Sequence, residues 1–458
     1  MWIEEITLDN IKCFDKQTIK LGSSGKNMGP YPWVTFLGEN GKGKSTVLQA
    51  LALLMAGPEG SNQLLKPIGW LKKQDKPGKL SIKLHQTAND PNKYGGTKKE
   101  RTEFTYTLYV TGNEKITINN KVFTEPIITE DTNSRILPWL RENALLPKGK
   151  GWFGAGYGAF RRLTREGRII VPSLQTPLRY TNFLTQFREN EPLEAFETWM
   201  VYLDYKISKN SDDLVSIKQK DLGIKAINRL LPDGNAFDSI DSSGRIWFNT
   251  QNEKVSTISL SDGFRSILAL GGDLIWRLIE AFPESDDPLK EQGVVLIDEL
   301  DIHLHPTWQR SISGLLRETF PYIQFIMATH SPLVAAGAGD DAVSYRFYRE
   351  NNKTKVEQIR NIHSLSIDNI LKSEAFGLVS PFAPETQKRI DQYYTLKKKI
   401  NTSDEEKRQI QLILPFIEEA FGVLPNVNPL EFKVQEFLKE KLNDKGNKNG
   451  KAKSSSET

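Results

Sequence analysis

The chain is 458 residues long with 38% apolar and 26% charged residues, long enough for two or three folded units and too apolar for a disordered chain. Its 61 basic and 57 acidic side chains leave a net charge of +4, so composition gives no global pull toward nucleic acid, and any such contact is a local patch. The lone cysteine, Cys13, excludes an intramolecular disulfide framework; no run approaches the ~20 apolar residues of a membrane helix, and the opening MWIEEITLDN lacks the regions of a signal peptide. The expectation is a cytoplasmic protein with no membrane contact.

In chain order, Ile3, Ile6 and Leu8 mark a short strand, and a second apolar run, Trp33 to Leu37, ends directly in a glycine-rich turn. A helix with an apolar surface of Val47, Leu48, Leu51, Leu53 and Leu54 follows, and residues 1–56 form a first core segment. Residues 57–244 read as a mixed insert, strands first and helices after. In it Phe104, Tyr106, Leu108 and Val110 alternate before a Thr-Gly-Asn-Glu turn and a short strand at Lys115–Ile118, a hairpin pattern. Beyond Pro192, the spacing of Leu193, Phe196, Met200, Leu203 and Ile207 predicts a helix with one buried face.

Residues 245–375 return to strand, turn and strand, then a long helix, then two strongly apolar strands at Val294–Ile297 and Phe325–Ala328. Residues 376–442 form a C-terminal helical region in which Pro384–Phe421 is helical and heavily charged, with a helix start at Thr402-Ser403-Asp404-Glu405 between the two arms of an exposed hairpin. Residues 443–458 are polar, basic and unable to bury a core, so they read as a disordered tail.

Four strings carry chemistry. Gly38-Glu39-Asn40-Gly41-Lys42-Gly43-Lys44-Ser45, followed by Thr46, fits G-x-x-x-x-G-K-[ST] between a strand and a helix. In that setting main-chain N–H groups wrap phosphates, Lys44 reaches the β- and γ-phosphates, and the Ser45 hydroxyl serves Mg²⁺. The strand Val294–Ile297 delivers Asp298 and Glu299 at its carboxyl end, the first placed to hold Mg²⁺ through water and the second to orient or deprotonate an attacking water. Leu260-Ser261-Asp262-Gly263-Phe264-Arg265 puts a hydroxyl and a glycine N–H, from Ser261 and Gly263, at a helix N-terminus as a second anion site. His330 closes the strand that ends in Ala328-Thr329. His303 and His305 invite a zinc reading, but such sites need three or four ligands and the one cysteine is far away in sequence.

Taken together, GENGKGKS, LSDGFR, VVLIDELDIHLHP and ATHSP resemble the ABC-type AAA ATPases of the OLD-like phage-defence group. The resemblance covers about the first 55 residues and the region 250–335. It implies an α/β P-loop NTPase head of the ABC type, with a mixed insert and a C-terminal helical hairpin. It further implies ATP and Mg²⁺ as ligands, a homodimer or higher oligomer in which Ser261 and Gly263 face the γ-phosphate held by another subunit, and a γ-phosphate-sensing role for His330. Where transporters carry SALD this chain carries HLHP, so His305 stands at the position of the transporter aspartate. The string Gly154-Ala155-Gly156-Tyr157-Gly158-Ala159-Phe160-Arg161-Arg162 is similar to a stretch of the PtuA family of Septu and retron-associated systems. That family acts with a separate HNH endonuclease, which implies a chain that switches a nuclease and reaches DNA through the complex.

Two departures bear on this. OLD enzymes carry a Toprim nuclease with a glutamate at a strand end and a later Asp-x-Asp; past His330 only Asp340-Asp341 in a glycine-rich turn is found, so a self-contained nuclease is not expected. The glutamine that couples nucleotide to the lobes in transporters has no clear equivalent, with Gln86 the nearest candidate. A RecF-like DNA-repair ATPase is the alternative reading. A structural-maintenance arm protein would need long heptads, a transporter subunit would not carry HLHP, and a non-hydrolysing scaffold keeps every motif.

Overall fold

Strands that must be covered on both faces read as unbroken apolar runs, and three such runs lie side by side in the middle of this molecule. The computed structural model describes residues 1–23, 29–65, 68–87, 90, 94, 102–118, 121–145, 152–159, 161, 163, 178–188, 193, 195–232, 234–250, 253–378, 380, 382–397, 399 and 403–420. The chain divides into two units, Met1–Gly377 and Leu378–Thr458.

The first unit opens with β1 (Trp2–Ile11), β2 (Phe14–Lys20), the short pair β3 (Gly22–Ser23) and β4 (Gly29–Pro30), then β5 (Trp33–Gly38) and α1 (Lys44–Leu64). There follow β6 (Gly78–His85), β7 (Glu103–Ile118), β8 (Lys121–Glu130), α2 (Ile136–Asn143), β9 (Phe153–Tyr157) and a 3₁₀ segment, Arg179–Gln186. Next are α3 (Ala195–Lys209), α4 (Leu214–Leu230), the strands β10 (Asn235–Ile240), β11 (Ile246–Thr250) and β12 (Glu253–Ser256), and α5 (Asp262–Ala281). The unit closes with β13 (Gly293–Ile297), α6 (Pro306–Thr319), β14 (Ile323–Ala328), α7 (Pro332–Ala336), β15 (Val343–Glu350), β16 (Lys353–Ile359) and α8 (Ile367–Lys372).

Two large sheets organise it. One is antiparallel, in the order β2-β1-β6-β7-β8. The other runs β16-β15-β5-β14-β13-β9, parallel throughout except for the β15–β16 edge. This is the expected α/β class. Side chains alternate across the parallel sheet. Val34, Phe36, Val294 and Leu296 join α1 and the antiparallel sheet in one core, while Trp33, Val295, Ile297 and Phe325 join α3 to α6 in a second. At roughly 1.5–3 kcal/mol for each large apolar side chain buried, the first of these cores fixes α1 against the sheets with its first turn at the carboxyl edge of β5.

Strands of the segment 57–244 pair with both sheets: β6 lies beside β1, and β9 lies beside β13. The hairpin lies later than the sequence pattern placed it. β7 runs unbroken from Glu103 to Ile118, taking Thr-Gly-Asn-Glu as an irregularity between Thr111 and Glu114, and its partner is β8. A glycine inside a strand marks a bulge as readily as a turn. The helix predicted after Pro192 is α3, with Leu193, Phe196, Met200 and Leu203 buried and Ile207 half-buried. Among the described residues no helix is long and apolar enough to cross a membrane.

The second unit holds α9 (Pro384–Lys397) and α10 (Asp404–Ala420), packed through Ile390, Tyr393 and Ile417. Ser403 and Glu406 form a reciprocal capping box: the Ser403 N–H donates to the Glu406 carboxylate at 2.8 Å and the Glu406 N–H to Ser403 Oγ at 3.3 Å. The tail 443–458 lies outside the described residues.

Candidate functional site

Ligands of open parallel sheets sit beyond the carboxyl ends of the strands, and register decides which residues reach that edge. Ile297 pairs with Tyr157 on one side and Met327 on the other, and Ala328 pairs with Phe36. Beyond the last pairs the ladder is stitched by Asp298 N–H to Tyr157 O at 2.8 Å and Thr329 N–H to Phe36 O at 3.2 Å. Gly38, Asp298 and Thr329-His330 therefore emerge together.

The turn after β5 needs its glycines. Gly38, Gly41 and Gly43 have φ of 132°, 74° and 99°, values that side chains rarely adopt. A Cβ on Gly43 would stand 2.6 Å from Cys13 Sγ and 2.7 Å from Phe14 Cζ, so the β1–β2 turn presses directly on the loop. Glu39 pairs with Lys42 at 3.2 Å on the exposed side, beside the exposed Asn40. Helix α1 starts at Lys44 with no side-chain cap, and Thr46 is buried in its first turn. The free N–H groups of that turn are an anion site. Lys44 crosses beneath the loop, donating from Nζ to Gly38 O at 2.7 Å and Glu39 O at 3.0 Å. Burial brings its ammonium down to about 8, opposed by Asp298, Glu299, Asp301 and Glu39.

The acids meet this loop. Burial raises the Asp298 carboxyl above its ordinary range, and a hydrogen bond from the exposed Ser45 side chain pulls the other way. Asp298 Oδ1 is buried without a hydrogen-bond partner among the described residues. A free carboxylate oxygen beside a serine hydroxyl is a donor set that suits hydrated Mg²⁺. Glu299 has φ of 47°, a left-handed conformation that costs a non-glycine residue about 1–2 kcal/mol. His330 is half-buried; burial first and the Lys44 charge second hold its imidazole below 6.5, against Asp301 and Asp298. Its main-chain N–H donates to Asp301 Oδ1 at 3.2 Å, and the Thr329 hydroxyl donates to the same oxygen.

The other anion site is separate. Ser261 caps α5, accepting from the Phe264 N–H at 3.4 Å. Gly263 packs so close to the next loop that a Cβ would stand 2.4 Å from His303 O. His305 in turn caps α6, accepting from the Thr307 N–H. Ser261 and Asp262 are exposed at the mouth of an open cleft of about 750 Å³ whose far wall is His303, His305 and Trp308, and no lining residue comes from Gly38–Thr46.

Asp301 and Arg161 at the first site, and Gln186 beside β9 and α1, are not singled out as site residues by the sequence motifs. Asp301 lies inside the string Asp298-Glu299-Leu300-Asp301 and ties Thr329-His330 to it. Arg161 donates to Asp298 O and Glu299 O. Gln186 is buried beside Gly156 with both amide atoms lacking a partner among the described residues, and its carbonyl accepts from Gln49 Nε2 of α1. Gln86, by contrast, follows the end of β6 that faces Trp2, whereas the phosphate loop touches Cys13 at the other end of β1. The length of that strand, roughly 30 Å at 3.3 Å per residue, separates the two, and Gln86 accepts from the Tyr94 N–H there. The only group of three metal-ligand side chains among the described residues, Glu4, His85 and Glu103, is bridged by Lys83 at 3.1 and 2.8 Å and reads as an ion-pair cluster.

Residues 178–336 match a family described as "AAA domain, putative AbiEii toxin, Type IV TA system", and residues 5–145 match one described as "AAA domain". Septu protein PtuA of Bacillus mycoides (strain KBAB4) is 28% identical over 420 residues, 90% of this chain and 49% of the relative. Septu protein PtuA of Bacillus thuringiensis is 26% identical over 274 residues, 55% of this chain and 67% of the relative. Retron Vc95 probable ATPase of Vibrio cholerae serotype O1 biovar El Tor is 49% identical over 81 residues, 18% of this chain and 16% of the relative. The chain spans about half the length of the Bacillus mycoides protein. Among solved structures, an SmcHead bound to the C-winged helix domain of ScpA aligns with 80% of this chain and 100% of its own at a TM-score of 0.48 and 16% identity.

Proposed function

Taking the chain as a PtuA-like AAA/ABC-type ATPase of the phage-defence group, we propose that it binds and hydrolyses ATP between two copies of itself and thereby controls a separate nuclease in the cytoplasm. The observation that carries this reading is the split between two half-sites. One is a phosphate loop with its cation and acids gathered at one sheet edge; the other is the capped helix end at Ser261, opening onto a cleft that the chain's own loop does not line.

In this reading the triphosphate lies along Gly38–Thr46, held by main-chain N–H groups and the α1 N-terminus. Lys44 turns its ammonium from Gly38 O and Glu39 O to the β- and γ-phosphates. Ser45 and Asp298 hold Mg²⁺, which when bound neutralises phosphate charge. Glu299 orients the water and takes its proton. His330, neutral at pH 7, offers an N–H toward the γ-phosphate, and Asp301 fixes its backbone. Gln186 keeps its buried amide against Gly156 of β9, and its carbonyl accepts from Gln49 of α1. Ser261 and Gly263 of a second copy close the site, as anion donors at a helix end.

Closure moves units as rigid bodies, and a partner responds only where it touches a surface that moves. The hairpin α9–α10, with Leu412 79% exposed, is the surface assigned to an HNH-type nuclease, with DNA met through that complex. The test is to purify the chain, measure Mg²⁺-dependent ATP hydrolysis, and ask whether a nuclease copurifies with the full chain and is lost with the hairpin. DNA cleavage by the purified chain alone would contradict the regulator reading.

A further inference from the structure

The glycine string of β9 has a physical purpose that its wording conceals. A Cβ on Gly156 would stand 2.5 Å from Gln186 Oε1, and one on Gly158 would stand 2.1 Å from Thr185 O. The Thr185 hydroxyl donates to Gly156 O at 3.1 Å and accepts from the Gly158 N–H at 3.3 Å. Only a strand without side chains at those points lies flat against the 3₁₀ segment. That close packing brings the chain just after β9 to the carboxyl end of β13, where Asp298 and Glu299 leave the sheet.

Arg161 arrives there 4% exposed. Its guanidinium donates to three carbonyls: Gly158 O at 2.8 Å, Asp298 O at 2.7 Å and Glu299 O at 2.9 Å. Burying a guanidinium is costly, and burial lowers this one to about 10; what opposes the burial is the field of Asp298, Asp301 and Glu299. The two carbonyls it forks across belong to the peptides on either side of the Glu299 Cα, the residue with φ of 47°. Left-handed backbone at a non-glycine residue persists only where its surroundings determine it.

We propose that Arg161 is the positioning residue for the two acids: by gripping the Asp298 and Glu299 carbonyls at once, it holds Glu299 left-handed and sets where both carboxyl groups point. A lysine keeps the charge but is a single-point donor without the planar fork, so Arg161→Lys removes the grip while leaving the cation. The inference rests on the hydrolytic reading of Glu299, and its test separates the two.

The full chain is compared as wild type, Arg161→Lys, Glu299→Gln and the double variant, with melting curves to establish folding, calorimetry for ATP binding and turnover for kcat. Arg161→Lys is expected to leave the ATP Kd within about threefold while kcat falls roughly tenfold or more; added to Glu299→Gln it costs little further, because residues acting as a unit are not additive. A kcat within about twofold of wild type, a loss matched by equal loss of ATP affinity, or a loss that multiplies fully onto Glu299→Gln overturns the proposal. If the wild type does not turn over, the hydrolytic reading falls by itself, and Mn²⁺ binding to the ATP-loaded chain, read by electron paramagnetic resonance, decides on Arg161. There, about tenfold weaker Mn²⁺ binding in Arg161→Lys is expected, as for loss of a group that orients a metal ligand, and unchanged binding overturns the inference.

Discussion

Two helix N-termini of this molecule, at Lys44 and at Asp262, start from the same physics and end differently. Both present free N–H groups that favour an anion. At Lys44 the fold adds a buried ammonium, a carboxylate with a free oxygen, and a left-handed glutamate. At Asp262 it adds a serine cap and stops, leaving an open cleft bounded by His303 and His305. In the proposed reading a helix end becomes a catalytic half-site when the sheet edge delivers chemistry to it, and no residue of Gly38–Thr46 lines the cleft at the start of α5.

The contrast is broken most severely at Lys44. Lys44→Ala deletes the ammonium proposed to face the β- and γ-phosphates and is expected to reduce ATP affinity by ~10² or more, as the loss of a charge-assisted phosphate contact implies; calorimetry that finds undiminished affinity would remove the phosphate-loop assignment. Glu299→Gln keeps the loop intact and should bind ATP normally while turnover falls by roughly 10², the range for a lost general base. An unchanged steady-state rate would move that role elsewhere.

The smallest effect concerns His330, whose lowered pKa keeps it neutral near pH 7. The folded state therefore binds fewer protons than the unfolded chain just below pH 6.5, so stability from this group is present above 6.5 and declines as pH falls through that value. Melting temperatures of wild type and His330→Gln should accordingly converge on acidification. A widening gap would reverse the assignment.

Legibility in sequence followed contiguity. The runs that became β5, β13 and β14 are apolar on both faces and bounded by turn signals, so their strand character is local. The loop Gly38–Thr46 and the pair Asp298-Glu299 are likewise strings whose chemistry is carried by neighbouring residues. Arg161 and Gln186 are different, since Arg161 meets Asp298 across 137 residues of chain and Gln186 meets Gln49 across the same separation. No periodicity signals a contact made through a non-local sheet register. The glycines of Gly154-Ala155-Gly156-Tyr157-Gly158 were the available clue, because repeated glycine within a strand announces a close neighbour. Asp301 stands two residues beyond Glu299, but its partner, the Thr329 hydroxyl, lies just past β14, so no local pattern announces the contact. The irregularity at Thr111–Glu114 misled for a related reason: glycine serves bulges and turns alike.

The central claim is that each chain holds two halves of different sites, and mixing two broken chains tests it most directly. In the proposed arrangement Lys44→Ala lacks a working phosphate loop, and Ser261→Arg blocks the helix end that would serve its neighbour. Each alone should bind or dimerise incompletely and fail to hydrolyse ATP. Mixed, they form some dimers in which the intact loop of one chain faces the intact Ser261 of the other, and ATP hydrolysis should return to a substantial fraction of wild type. A mixture that stays inactive while both chains are folded, or a Ser261→Arg chain that hydrolyses normally by itself, would contradict the account.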